Sequence, residues 1–182
     1  MERKVRIMEA ARGLFADKGL KGTSSNEIAR EAGVSIGTFY SYFPNKRALF
    51  LQILEGHLKT FVTDIYNLKT DVSISLKDNI REHIRKAFGV FDLHPSFHRE
   101  ALVLKFTDPD VKRLFDEVEQ EQLLIMSELI RPYCTKRDPG DLREVAKVMH
   151  SAVENIAVAV KFLDSPLDGE KLAGELTEMF YP

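Results

Sequence analysis

The 182-residue chain has no tryptophan and a single cysteine, Cys134. One thiol excludes an internal disulfide and suits a reducing compartment, so a cytoplasmic location is expected. Cys134 itself reads as a small residue at a helix end. Long apolar runs are missing too. The longest, residues 156–163, is interrupted by Lys161 and falls far short of the ~20 residues that cross a bilayer, so no membrane partner is expected. No export signal is expected either, because Glu9 and Arg12 break any apolar stretch near the start. Nor do β-branched residues alternate anywhere in the pattern of a strand. A Gly-rich phosphate loop, a serine elbow, a metal-ligand cluster and a paired-carboxylate site are all lacking. The chain therefore reads as not an enzyme, with no cofactor and no metal. His94 and His98 are four apart, but Pro95 sets His94 ahead of the helix and no third ligand is suitably spaced.

What is present is helical periodicity, almost end to end. With 44% hydrophobic and 30% charged residues, the composition is that of a soluble globular protein with a real core. The spacing predicts an all-α chain of about nine helices. The first covers residues 3–18 and is ended by Gly19 in a left-handed conformation. The second follows Ser24, whose capping box is completed by Glu27, and ends at Gly33. The third is short, from Ser35 as N-cap to Tyr42, and Pro44 stops it. Asn45 caps a fourth, which reaches about residue 68. After a polar connector at 69–75, helices follow Ser75, the His94-Pro95-Ser96 break, and Asp108-Pro109. The last two cover about 141–163 and 168–181. There is no internal repeat.

The net charge of −2 conceals an asymmetry. Residues 1–47 carry nine Lys/Arg against five Asp/Glu, a balance of +4, whereas the remainder carries 17 against 23, a balance of −6. A basic head on an acidic body suggests that only the head meets a polyanion. The expected division is a helix-turn-helix domain at 1–47 and a helical body at 48–182.

Within the head, residues 24–46 carry the most information. Ile28, Ala29, Val34, Phe39 and Phe43 can form the shared core of a helix pair, and Gly33 supplies the turn. That leaves Ile36, Gly37, Thr38, Tyr40 and Ser41 off the core side. Gly37 allows close approach of the helix to a duplex. Thr38 and Ile36 could meet base edges or a thymine methyl, and the Tyr40 and Tyr42 hydroxyls suit phosphate oxygens. Lys46 stands in the first turn of the fourth helix, where its charge and free N–H groups could face one phosphate. Ser24 or Ser25 opens the second helix in an equivalent position. On pattern alone the pair also fits a plain αα-hairpin.

The run from Ile7 to Phe50 narrows this choice. It includes Ala11-Arg12-Gly13-Leu14-Phe15, Gly19, Thr23, Glu27-Ile28-Ala29, Ala32-Gly33-Val34-Ser35, Gly37-Thr38-Phe39-Tyr40 and Tyr42-Phe43-Pro44-Asn45-Lys46. In register, these residues closely resemble the amino-terminal domain of TetR-family transcriptional regulators. Beyond about residue 50 the resemblance is architectural only. It implies that Ser25, Ser35, Ile36, Gly37, Thr38 and Tyr40 lie at or near operator DNA, with Tyr40, Tyr42 and Lys46 gripping phosphates. The position of Ile36 is often basic in that family, so no base preference is assigned from it.

A homodimer is expected, because two heads can read successive major grooves. The candidate interface is Val145, Met149, Ala152, Val153, Ile156 and Val160 of the eighth helix with Leu172, Leu176 and Met179 of the ninth. Nine of the twelve phenylalanines follow residue 47, which places an apolar or aromatic small-molecule effector in the body. Its candidate lining is Phe61, Phe88, Phe91, Phe97, Phe106, Phe115 and Met126, with His150, Glu154 and Asn155 as polar guides. The expected activity is that of a repressor released from a palindromic operator by its effector. An activator using the same head and a helical protein–protein adaptor are the alternatives.

Overall fold

The structure, a computed structural model, describes residues 3–66, 75–131, 139–163, 166 and 168–180. Among these residues there are nine helices and no strand: α1 (Arg3–Gly22), α2 (Ser25–Glu31), α3 (Ile36–Tyr42), α4 (Lys46–Tyr66), α5 (Leu76–Val90), α6 (Pro95–Lys105), α7 (Pro109–Ile130), α8 (Pro139–Phe162) and α9 (Gly169–Phe180). The all-α architecture is the one the periodicity predicts. Cys134 and all of the 69–75 connector except Ser75 lie outside the described residues.

The one element that overruns its expected end is α1. Gly19 does leave helical geometry, at φ 70° and ψ 170°, but the chain then makes one further turn to Gly22. A positive φ of this kind is open to glycine at little cost.

The chain divides into two compact units. The first comprises Met1–Leu58 and His94–Phe115, and the second Lys59–Leu93 and Asp116–Pro182, so α4 and α7 each contribute to both. These units follow packing, whereas the sequence division at residue 47 follows charge and motif. Packing places residues 48–58 and 94–115 with the amino-terminal helices.

In the first unit, α1 packs chiefly on α6 and also on α2, and α2 packs on α3. Its core is aromatic. Phe15 meets Phe50 edge-on at 5.3 Å, and Phe50 in turn lies 5.3 Å from Phe97, all three fully buried. Ile7, Ala11, Ile28, Phe39, Leu49, Leu54 and Ala101 are buried in the same unit. In the second unit, Leu142, Ala146, Met149, Val153 and Ala157 form the buried stripe of α8 at three- and four-residue steps. Leu123 and Met126 of α7 pack against Ala146 and Met149, with Ile130 and Val145 at the margin. α9 packs on α5 and α8.

Candidate nucleic-acid interface

The two short helices are each started by a serine. Ser24 Oγ accepts from the Glu27 N–H at 3.2 Å, and Glu27 Oε2 accepts from the Ser24 N–H at 2.9 Å and from its hydroxyl at 3.0 Å. These bonds, led by the Ser24 N–H and joined by Lys18, hold the Glu27 carboxyl down at about 2. Ser35 Oγ accepts from the Thr38 N–H at 3.1 Å and also pairs with the Thr38 hydroxyl at 2.9 Å. Between the helices Gly33 adopts φ 63°, the left-handed turn the sequence requires. Both serine hydroxyls are thus engaged in capping, which fixes the angle at which α3 leaves the turn.

That angle decides what α3 presents. Phe39 and Phe43 are buried at 0% and 2% exposure, whereas Tyr40 is 54%, Tyr42 39% and Ile36 38% exposed. Gly37 and Ser41 are exposed, and Ser25 and Thr38 are half-buried. A seven-residue helix has only two turns, so burying Phe39 forces Ile36, Gly37 and Tyr40 outward. The arrangement offers a dipeptide-thin ridge, at Gly37, flanked by phenol and hydroxyl donors.

Lys46 departs from its expected role. Its ammonium is not directed outward but donates to the carbonyls of Leu20, Thr23 and Lys21 at 2.7, 2.6 and 3.2 Å. The end of α1 leaves carbonyls without helical partners, and a cation there satisfies them and complements the helix dipole. Thr23 joins this clamp, its hydroxyl donating to the carbonyls of Gly19 (2.9 Å) and Leu14 (3.2 Å). From the other side, Glu100 of α6 accepts from the Leu20 N–H at 2.8 Å. Its Oε1 stands 2.9 Å from where a Gly19 Cβ would be. Next to Lys46, Arg47 is held by Asp108 at 2.7 Å and Asp110 at 2.8 Å, so it is neutralised within the unit. What α4 retains at its start is main-chain N–H groups, with that of Ala48 already capped by Asn45 Oδ1 at 2.8 Å.

The residues expected around an effector do not share one environment. Phe97 is core of the first unit, its ring also 5.7 Å from His57. Phe106 is 85% exposed and lines nothing buried. Both leave the candidate cavity, one because it fills the core and one because it faces solvent. Phe115, in the first unit, meets His98 at 6.0 Å and carries the Lys105 ammonium 4.9 Å from its centroid. Phe88, Phe91 and Met126 belong to the second unit, where Phe91 packs 6.2 Å from Phe162. The side chain of Phe61 lies outside the described residues. His150 and Glu154 approach at 3.6 Å, with Glu119 at 3.8 Å from the same imidazole nitrogen. Asn155 turns back to the Ser151 carbonyl at 2.7 Å.

The expected interface residues also divide. Met149, Val153 and Leu176 are buried within the chain itself, at 6%, 7% and 3%, and Val145 packs on the Leu123–Met126 cluster. The first three are closed to a second copy, whereas Val145 is half-buried. Ala152, Ile156, Val160 and Leu172 are half-buried, and Met179 is 73% exposed. Val148, at 64%, is the most exposed apolar residue of α8.

Two features escape a linear reading. Glu100 is a surface-type residue whose target, the Leu20 N–H, lies 80 positions away. His57 and His98 bond to each other at 3.0 Å inside the first unit, at 4% and 2% exposure. Burial, then repulsion from His94 when that ring is protonated and from Arg12, pushes His57 down to about 4. Burial, then His57 and Lys105, push His98 to about 3. Periodicity could have marked His57, since it follows Ile53 and Leu54 on the buried stripe of α4.

Comparison with known proteins agrees with this geometry. The family model described as bacterial regulatory proteins, tetR family, matches residues 7–53. The HTH-type transcriptional regulator YuxN of Bacillus subtilis is 35% identical over 119 residues, 65% of this chain but 39% of that protein. Matches to such curated relatives span only about two-fifths of their length, 39% and 43% in two Bacillus subtilis examples. Among solved structures, a candidate TetR-family regulator from Mesorhizobium loti superposes with a TM-score of 0.81 at 21% identity, covering 98% of this chain and 94% of that one. FadR from Bacillus subtilis, solved in complex with stearoyl-CoA, gives 0.74 at 18% identity, covering 97% and 96%. The capped helix pair with its outward α3 lies within the run at 7–53 that matches the tetR-family model, so the chain carries an amino-terminal DNA-binding domain of the TetR family.

Proposed function

We propose that the protein is a cytoplasmic transcriptional repressor, which grips a palindromic operator as a homodimer and releases it when a small apolar effector occupies the second unit. One observation carries the DNA-binding part: α3 exposes Ile36, Gly37, Tyr40 and Tyr42 while burying Phe39 and Phe43. Base edges are read by Thr38 and Ile36 across the bare backbone of Gly37. Phosphates are held by the Tyr40 and Tyr42 hydroxyls and by the first N–H groups of α2 and α4. The Lys46 ammonium supports this surface from behind.

A dimer is supported by the apolar face that α8 and α9 leave uncovered, Val148 and Met179 with half-buried Ala152 and Ile156. Two copies would set their α3 helices in major grooves about 34–36 Å apart. An apolar effector is supported by the aromatic and aliphatic interior of the second unit and by the stearoyl-CoA held by the FadR neighbour.

The test begins with duplexes selected from genomic fragments by the purified protein, followed by fluorescence anisotropy on a selected and a random duplex. Binding is expected to weaken steeply with salt, by about 10³-fold or more between about 50 and 200 mM. Tyr40→Ala should weaken both duplexes alike, and Thr38→Ala chiefly the selected one. Val148→Asp should shift the protein towards monomer in light scattering and lose the selected site with it. A monomeric wild type that shows no duplex binding even at about 50 mM salt sinks the proposal.

A further inference from the structure

Apart from the α3 surface, the first unit contains a cavity of about 450 Å³ where α1 meets the start of α6, walled by Glu9, Arg12, Gly13, Ala16, His94 and Phe97. Its polar wall is unusual in three respects. Arg12 Nη1 lies 3.1 Å from Nε2 of His94, so this guanidinium is matched to an imidazole and not to a carboxylate. Burial, and then the Arg12 charge, hold His94 below its ordinary pKa, so the ring bonded to Arg12 favours its neutral form. Arg12 Nε is buried without a hydrogen-bond partner, a state that folded proteins rarely leave unrelieved. Finally, His94 is the single described non-glycine residue with positive φ, at 54°. Strain of this kind persists where the surroundings impose it and tends to gather at binding sites. His94 opens α6 with no side-chain cap, so the N–H groups of Ser96 and Phe97 at the rim are also uncapped.

Beyond Arg12 the α1 side of the cavity is low. A Cβ built on Gly13 meets nothing within 4 Å, and Ala16 beside it is equally small. Phe97 closes the floor.

We propose that this cavity binds a small molecule with a singly charged oxyanion head, a carboxylate or a phosphate monoester in its singly protonated form, through Arg12 and His94. The guanidinium edge carrying Nε and one Nη spans two oxygens of such a head, and the orphaned Nε–H gains its acceptor. With Arg12 turned to the ligand, His94 Nε2 is released from accepting and can donate in its other tautomer. Glu9, on the same wall, opposes a second negative charge and so favours monoanions. The ligand's carbon skeleton lies along Gly13, Ala16 and Phe97. None of this depends on DNA binding or on an effector in the second unit.

The test is a ¹H–¹⁵N titration of the intact protein, following the Arg12 Nε–H signal together with the His94 ring. The probes are acetate, inorganic phosphate and phenyl phosphate, each against chloride at matched ionic strength. A saturable shift is expected with at least one oxyanion, and which one saturates separates the carboxylate source from the phosphate source. Gly13→Leu should fill the cavity and weaken binding about tenfold or more, with the helical CD and melting of wild type, because leucine is the better helix former at an open position. Arg12→Lys, which keeps the charge and loses the fork, should weaken binding comparably. Glu9→Gln should strengthen it, most for phosphate. Shifts that rise linearly and match chloride overturn the proposal. So does saturable binding that Gly13→Leu and Arg12→Lys both leave intact.

Discussion

Replacing Lys46 by methionine separates two roles that the sequence cannot distinguish. The substitution keeps most of the aliphatic stem and removes three bonds, at 2.6, 2.7 and 3.2 Å, from the carbonyls that end α1. A hydrogen bond to a charged group nets about 1.5–3 kcal/mol. Here the three share one ammonium on a half-buried side chain, and water can reach the Lys21 carbonyl, so a loss of about 2–4 kcal/mol is reasonable for the set. In a chain of this size each kcal/mol moves the melting temperature by about 2–4 °C, which gives a fall of about 5–15 °C. The duplex affinity of the protein that remains folded should keep its salt dependence. Had Lys46 gripped phosphate, a dimer would lose two such contacts and its log K against log salt slope would shrink by about 1.8. Melting by circular dichroism and anisotropy at four salt concentrations, both on Lys46→Met, decide the matter. An unchanged melting temperature with a slope flattened by about two would refute the clamp and restore the direct contact.

Gly19→Ala should be destabilising on two counts, the φ of 70° and the Glu100 oxygen 2.9 Å from the new Cβ. A loss of about 1–3 kcal/mol in urea melts is expected, and because Glu100→Ala alone also removes the Leu20 N–H bond, the clash is read from the coupling of the two replacements in a double-mutant cycle. The buried imidazoles make stability pH-dependent. His57 and His98 stay neutral in the fold down to about 4 and about 3, whereas the unfolded chain takes up protons below about 6.5. Their contribution is complete above pH 6.5 and declines as pH falls towards 4. At pH 5 the loss is about 2 kcal/mol for each, so urea midpoints at pH 7 and 5 should differ clearly. A double replacement by phenylalanine or leucine that still folds should flatten that difference.

Much of this was legible in the residues, and the reasons are local. Capping boxes, glycine turns and prolines act over three or four positions, so Ser24, Gly33, Ser35 and Pro44 mark α2 and α3 without reference to the rest of the chain. The inward and outward sides of α3 follow from the same short range, because Phe39 and Phe43 are four apart. Phe97, Phe106, Met149 and Leu176 were not legible in that way. Each is apolar on a periodic stripe, and periodicity cannot say whether a stripe meets this chain, a second copy, a ligand or water. Packing assigns Phe97 to the core beside Phe50, Met149 and Leu176 to the second unit's interior, and Phe106 to the surface.

The sequence by itself determined the helical class, the bounds of α2 and α3 and the residues α3 turns outward, since all of these are set by hydrogen bonds and side-chain spacing within one or two turns. Tertiary structure alone decided that Lys46 caps the end of α1, that Glu100 reaches Leu20 across 80 positions, and that Arg12 bonds to His94 at the edge of a cavity. Those pairings are long-range and polar. A charged side chain finds its partner only after burial of the aromatic core has placed α6 against α1, and no periodic signal in the chain records which carbonyl or imidazole it will meet.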